Sequence, residues 1–112
     1  MRPEVKKFLA DALDCAKSIE TFARGRTFAD LEQDNLLRSA IYYKFVIIGE
    51  ALTQMRRIDE ATFERITEVY RIVGFRNQIV HGYEKIQDNM TWQIIQDKLP
   101  VLRRELEAML AE

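Results

Sequence analysis

The stretch NLLRSAIYYKFVIIGEALTQM, residues 35–55, decides how this chain folds. Between Ile41 and Leu52 it carries Ile41, Tyr42, Tyr43, Phe45, Val46, Ile47, Ile48, Ala51 and Leu52. On a helix of about 3.6 residues per turn these positions run almost all the way round, so one small core cannot take them all. A helix predicted from about Asp34 to Arg56 therefore needs neighbours on two sides. Either it is the centre of a bundle, or it is a central helix whose second face meets a second copy of the chain in a homodimer. Gly49 inside IIGEA gives up about 1 kcal/mol of helix propensity relative to Ala, which predicts a close crossing where a side chain would not fit. Glu50 beside it is then a polar contact near that crossing.

Working outward, the flanking segments repeat the helical period. From Pro3 to about Arg24, Val5, Phe8, Leu9, Ala12, Leu13, Ala16, Ile19, Phe22 and Ala23 recur at steps of three and four, with Pro3 suited to the first turn and Gly25 to the stop. Residues 27–34 (TFADLEQD) read as a short helical turn or connection with Thr27 as its N-cap. A third helix is expected from about Ala61 to Val80, with a break or change of direction near Gly74, ending at Gly82. GYEKIQDN follows as a loop. A last helix begins near Asp88 or Asn89 and carries Trp92, Ile95, Leu99, Leu102, Leu106 and Met109, with Pro100 bending it without ending it. No segment alternates with period two, and no repeat or glycine-rich phosphate loop occurs. The expected fold is all-α: one domain over residues 1–112, a compact up-and-down bundle of four main helices, or five counting the short turn.

Composition narrows the function classes. The chain has 112 residues, 47% hydrophobic and 31% charged, the balance of an ordered single domain. The formal net charge is −1, so this is no polycation made to coat nucleic acid, and any nucleic-acid contact must be local. Basic pairs at Lys6-Lys7, Arg56-Arg57 and Arg103-Arg104, and the arginines flanking Gly25, are read as solvated helix faces and helix-end charge compensation. The lone cysteine, Cys15, cannot form an internal disulfide, and no His/Cys cluster has zinc-ligand spacing. With no apolar signal-peptide core and no membrane-length run, a soluble protein of the reducing cytoplasm, away from the membrane, is expected.

The chemistry concentrates in RNQIVHGY, residues 76–83, which holds the only histidine. On a regular helix Arg76 and His81 lie roughly 140° apart with about 7.5 Å of rise between them, so they do not share a face. Asn77 and His81 do, as i and i+4, and the Asn amide could fix the imidazole tautomer while Arg76 curls in from the flank. Imidazole, amide and guanidinium without a nucleophilic Ser or Cys fit RNA cleavage by the ribose 2′-hydroxyl, where the substrate brings its own nucleophile. Acid and base need two proton carriers, and a homodimer would supply two copies of His81. The competing reading is a helix end, with His81 compensating the helix dipole and Asn77 on the surface.

IIGEAL, FRNQIVHGY and TWQIIQDKLPVL together resemble the HepT-like branch of the HEPN superfamily, over essentially the whole chain. The resemblance implies a compact, dimeric α-helical ribonuclease toxin acting without metal or cofactor, with Arg76, Asn77 and His81 as the catalytic motif at the dimer cleft. It implies a partner as well, an MntA-like minimal nucleotidyltransferase antitoxin that uses ATP to transfer AMP onto Tyr83. A phosphate and its nucleoside beside Arg76 would repel and exclude RNA. Tyr83 could instead simply pack over the helix end. Tyr42-Tyr43-Lys44 stands where many relatives carry an Arg, and residues 60–70 lack a Trp found in relatives, departures that bear on substrate choice and antitoxin docking. HEPN domains also accompany nucleotidyltransferases as non-catalytic modules that present substrate or nucleotide, the alternative to a ribonuclease.

Overall fold

The structure, a computed structural model describing residues 1–112, contains helices and no strands. Helix α1 spans Pro3–Ala23, α2 Phe28–Gln33, α3 Asn35–Ile58, α4 Glu60–Glu64, α5 Val69–His81, α6 Asp88–Gln93 and α7 Leu99–Leu110. A π-helical turn at Ile94–Lys98 joins α6 to α7, and a 3₁₀ turn at Tyr83–Lys85 follows α5. The main helices pack in the order α7, α1, α3, α5. Helix α3 is central, as its all-round apolar sequence requires, and α5 lies at the edge with its outer side uncovered.

Local chemistry sets the boundaries. Thr27 caps α2 in a reciprocal box: its hydroxyl accepts from the Asp30 amide at 3.2 Å, and the Asp30 carboxylate accepts from the Thr27 amide at 2.8 Å. Asp34 caps α3 through the Leu37 amide at 3.0 Å, and Asp59 caps α4 through the Thr62 amide at 3.1 Å. The core joins Leu9, Ile19, Leu31, Ile41, Ile48, Leu52, Met55, Phe63, Leu99 and Leu106, all buried. Around α3, Phe45, Ile48, Leu52 and Met55 face that core, Val46 and Ile47 are half-buried, and Tyr43 remains 63% exposed.

One feature of the expected helices changes. The third helical region breaks at residues 65–68, not near Gly74, and α5 runs straight through Gly74. Glu68 adopts a left-handed conformation (φ 53°), the one non-glycine residue to do so. Side chains from downstream hold the break: Glu105 of α7 accepts from the Thr67 amide and hydroxyl at 2.9 and 2.7 Å, and Lys98 pairs with Glu68. This turn lets Phe63, Ile66 and Val69 all enter the core. Pro100, by contrast, does not end its helix, as expected. It has no amide hydrogen and its ring crowds the carbonyl of Gln96; the helix widens just before it, with the Leu99 amide donating to Ile94 O, and then continues.

Candidate active site

The α3–α5 crossing builds the site. Gly49 is buried, and a Cβ placed on it would lie 2.3 Å from Arg76 Cβ and 2.5 Å from Arg76 Cγ. The missing side chain of α3 is therefore the space in which the arginine stem lies. Arg76 then extends outward, donating from Nη2 to Glu50 Oε2 at 3.0 Å and from Nη1 to Asn77 Oδ1 at 2.9 Å. Its side chain is 23% exposed, and its Nε is buried without an acceptor. A guanidinium held at its root by packing and at its tip by two oxygens is aimed before any ligand arrives.

Asn77 thus orients Arg76; the hydrogen bond expected between Asn77 and the His81 imidazole does not form. The Asn77 amide oxygen is taken by the adjacent guanidinium, a charge-assisted hydrogen bond, and not by the imidazole one turn away. His81 is the last residue of α5, exposed to solvent and free of side-chain hydrogen bonds. The chain leaves the helix at Gly82, whose amide donates to Gln78 O at 2.8 Å, and turns through Tyr83–Lys85, leaving Tyr83 75% exposed. Arg76, Asn77, His81 and Tyr83 are all carried by one helix end and the turn after it.

No spacing or motif points to what anchors that turn. Tyr42 of α3 donates its hydroxyl to Asp88 Oδ1 at 2.9 Å and shares a 2.8 Å hydrogen bond with the buried Thr91 hydroxyl, pinning the start of α6 to α3. Tyr43, its neighbour, points out, and Lys44 sits close enough to α1 for its charge to act on Cys15. Burial pushes the Tyr42 phenol up to about 12; the Thr91 bond opposes this and Asp88 adds to it. Because the folded value lies above the ordinary 10.0, this contribution to stability is complete below pH 10.0 and is lost as pH rises towards about 12. An alkaline absorbance titration should show a phenol ionising near pH 12 that disappears in Tyr42→Phe. Persistence of that phase in the variant would move the assignment to another of the four tyrosines.

No group of three or more His, Cys, Asp or Glu side chains is placed to hold a metal ion, and no helix is long and apolar enough to cross a membrane. The molecule is thus an all-α bundle with a preset arginine and a solvent-facing histidine at one helix end. The family model "Ribonuclease HepT-like" matches residues 12–109, and the chain belongs to that family. Among its relatives, "Putative RNase MJ1380" of Methanocaldococcus jannaschii is 29% identical over 106 residues, 93% of this chain and 94% of the relative. "Putative RNase MJ0127" of the same organism is 25% identical, covering 99% of this chain and 91% of the relative. "Putative RNase TTE0752" of Caldanaerobacter subterraneus subsp. tengcongensis is 25% identical, covering 97% and 93%. No solved structure matches.

Proposed function

We propose that this protein is a metal-independent endoribonuclease of the cytoplasm, the toxin of a toxin-antitoxin pair, acting as a homodimer. The observation that carries the reading is the preset Arg76 beside an unencumbered His81 on one exposed helix end. His81 takes the proton of a ribose 2′-hydroxyl as O2′ attacks the neighbouring phosphorus. The bond to the 5′-oxygen breaks, and that oxygen takes a proton from His81 of the second copy, leaving a 2′,3′-cyclic phosphate and a 5′-hydroxyl. Arg76 balances charge building on the phosphate oxygens, and Asn77 holds the guanidinium in line. The orphaned Nε of Arg76 supports this reading, since a buried donor without an acceptor costs free energy that packing alone does not require.

Dimerisation fits the surface around these residues. Tyr43, Ile47 and Glu50 form one stripe on α3, and Val73, Asn77 and Val80 form one on α5, at spacings that line a helix face on either side of Arg76. Tyr43 is 63% and Val80 41% exposed, apolar surface that a second copy would cover. Exposed Tyr83 is then the acceptor for AMP: its Oη attacks the α-phosphorus of ATP in a partner nucleotidyltransferase of the MntA-like kind, and pyrophosphate leaves. The added phosphate beside Arg76 closes the site to RNA.

The non-catalytic alternative, a module that presents substrate or nucleotide to such a nucleotidyltransferase, draws on one observation. Arg76 already has a carboxylate partner in Glu50, as a structural arginine would. Incubating the purified protein with total cellular RNA in excess EDTA separates the two. Products ending in 2′,3′-cyclic phosphate are expected. Intact RNA with a folded dimer would hand the protein to the presenting role.

A further inference from the structure

A groove of about 530 Å³ opens between α3 and the turn that carries Tyr83. That volume is within the range of small-molecule sites. Ile79, Ile86, Tyr42 and Tyr83 supply its apolar and aromatic lining, and Arg38, Ser39 and Asp88 its polar rim.

The charges at that rim are unequal in what they have left to give. Asp88 already accepts the Tyr42 hydroxyl. Arg38 is fixed by oxygens that carry no full charge: Leu31 O at 3.1 Å, Glu32 O at 2.6 Å and Asn35 Oδ1 at 3.2 Å. It takes part in no ion pair. Nε and one Nη2 hydrogen of its guanidinium remain unspent. A rigid cation with free donors next to an aromatic slot complements a flat ring joined to a phosphate.

We propose that this groove is a nucleotide subsite, taking one base of a single RNA strand against Tyr83 with a phosphate on Arg38. The proposal rests on RNA being the substrate. Helix α5 links the two places directly: Ile79 lines the groove, His81 ends the helix, and Tyr83 returns to the groove. A base seated here fixes the strand whose neighbouring phosphate reaches Arg76 and His81. Tyr83 then has a use for its ring that is separate from any use of its hydroxyl. A nucleotide attached to that hydroxyl would compete for the same slot.

The test is binding of a 2′-O-methyl RNA tetranucleotide, which lacks the nucleophile, to the full-length protein by titration calorimetry. Tyr83→Phe keeps the ring and should bind as wild type. Tyr83→Ala should weaken binding roughly 5- to 100-fold, the range of one lost base stack. Ser39→Asp adds a carboxylate at an exposed rim position, leaves the bonds of Arg38 to α2 in place, and should also weaken binding. Absence of binding by wild type, or wild-type affinity in both weakening variants, overturns the subsite. The ribonuclease reading fails separately. Groove-dependent binding with natural RNA left uncut removes that reading and keeps the subsite; cleavage at wild-type rate by Tyr83→Ala and Ser39→Asp, with unchanged binding, does the reverse.

Discussion

RNA cleavage is expected to fall roughly 10²- to 10⁴-fold when His81 is replaced by Ala, the usual contribution of a positioned acid or base. Stability should move by no more than about 0.5 kcal/mol, because His81 is in solvent, closes no core contact and makes no side-chain hydrogen bond. The pairing of a large kinetic effect with a negligible thermodynamic one is the signature of a reacting group. Rates on a defined oligonucleotide, read beside a thermal melt, check both halves. Arg76→Ala should also be inactive, yet it must lose stability, since its stem fills the gap over Gly49. Mixing the two inactive proteins and letting subunits exchange should not restore activity, for each mixed dimer carries only one intact His81 where the proposed mechanism takes one proton carrier from each copy. Undiminished cleavage by the His81 variant would remove the proposed chemistry.

The second large effect is expected from two chemically identical substitutions. Gly49→Ala gains about 1 kcal/mol in helix propensity but puts a methyl 2.3 Å from Arg76 Cβ. That neighbour is the root of a side chain, not its flexible end, so the helices must part. Overpacking of this kind costs about 1–3 kcal/mol, with the further loss of the Gly49-seated Arg76 geometry and of cleavage. Gly74→Ala, on α5, meets nothing within 4 Å. It should instead gain roughly 0.5–1 kcal/mol, raising the melting temperature by a few degrees with activity intact. Calorimetric melts of both variants decide the matter by sign alone. A stabilised, active Gly49→Ala protein would mean that the close crossing has no role in setting Arg76.

What can be read from the residues divides along physical lines. Period and capping are local, so the long helices, the Thr27 cap and the stop at Gly82 are accessible from spacing alone. The tight crossing at Gly49 and the polar role of Glu50 are accessible too, because a glycine inside an apolar helix sacrifices propensity that only a close neighbour can offset. The break at residues 65–68 is not. Nothing local in ERITE ends a helix, and the groups that do so, Glu105 and Lys98, come from about thirty or more positions downstream. Gly74 misleads for the complementary reason: a glycine without a neighbour has no structural message. Likewise the tie from Tyr42 to Asp88 and Thr91 spans 46 and 49 positions, and no one-dimensional pattern contains it. For Asn77 the helical period finds the correct face but the wrong partner, since spacing names neighbours and electrostatics chooses among them.

The seat of Arg76 against Gly49 has a bearing on how such a protein would decay under selection. A cell harmed by the active chain gains from any change that silences it, but a destabilised chain is also a load of misfolded protein. Silencing at Arg76 opens a hole against α3, whereas silencing at His81 leaves the fold untouched. Survivors of forced overexpression should therefore keep soluble protein when the lesion is at His81 and lose abundance when it is at Arg76. Harmless descendants of this chain would be recognisable by an arginine that has outlived its histidine.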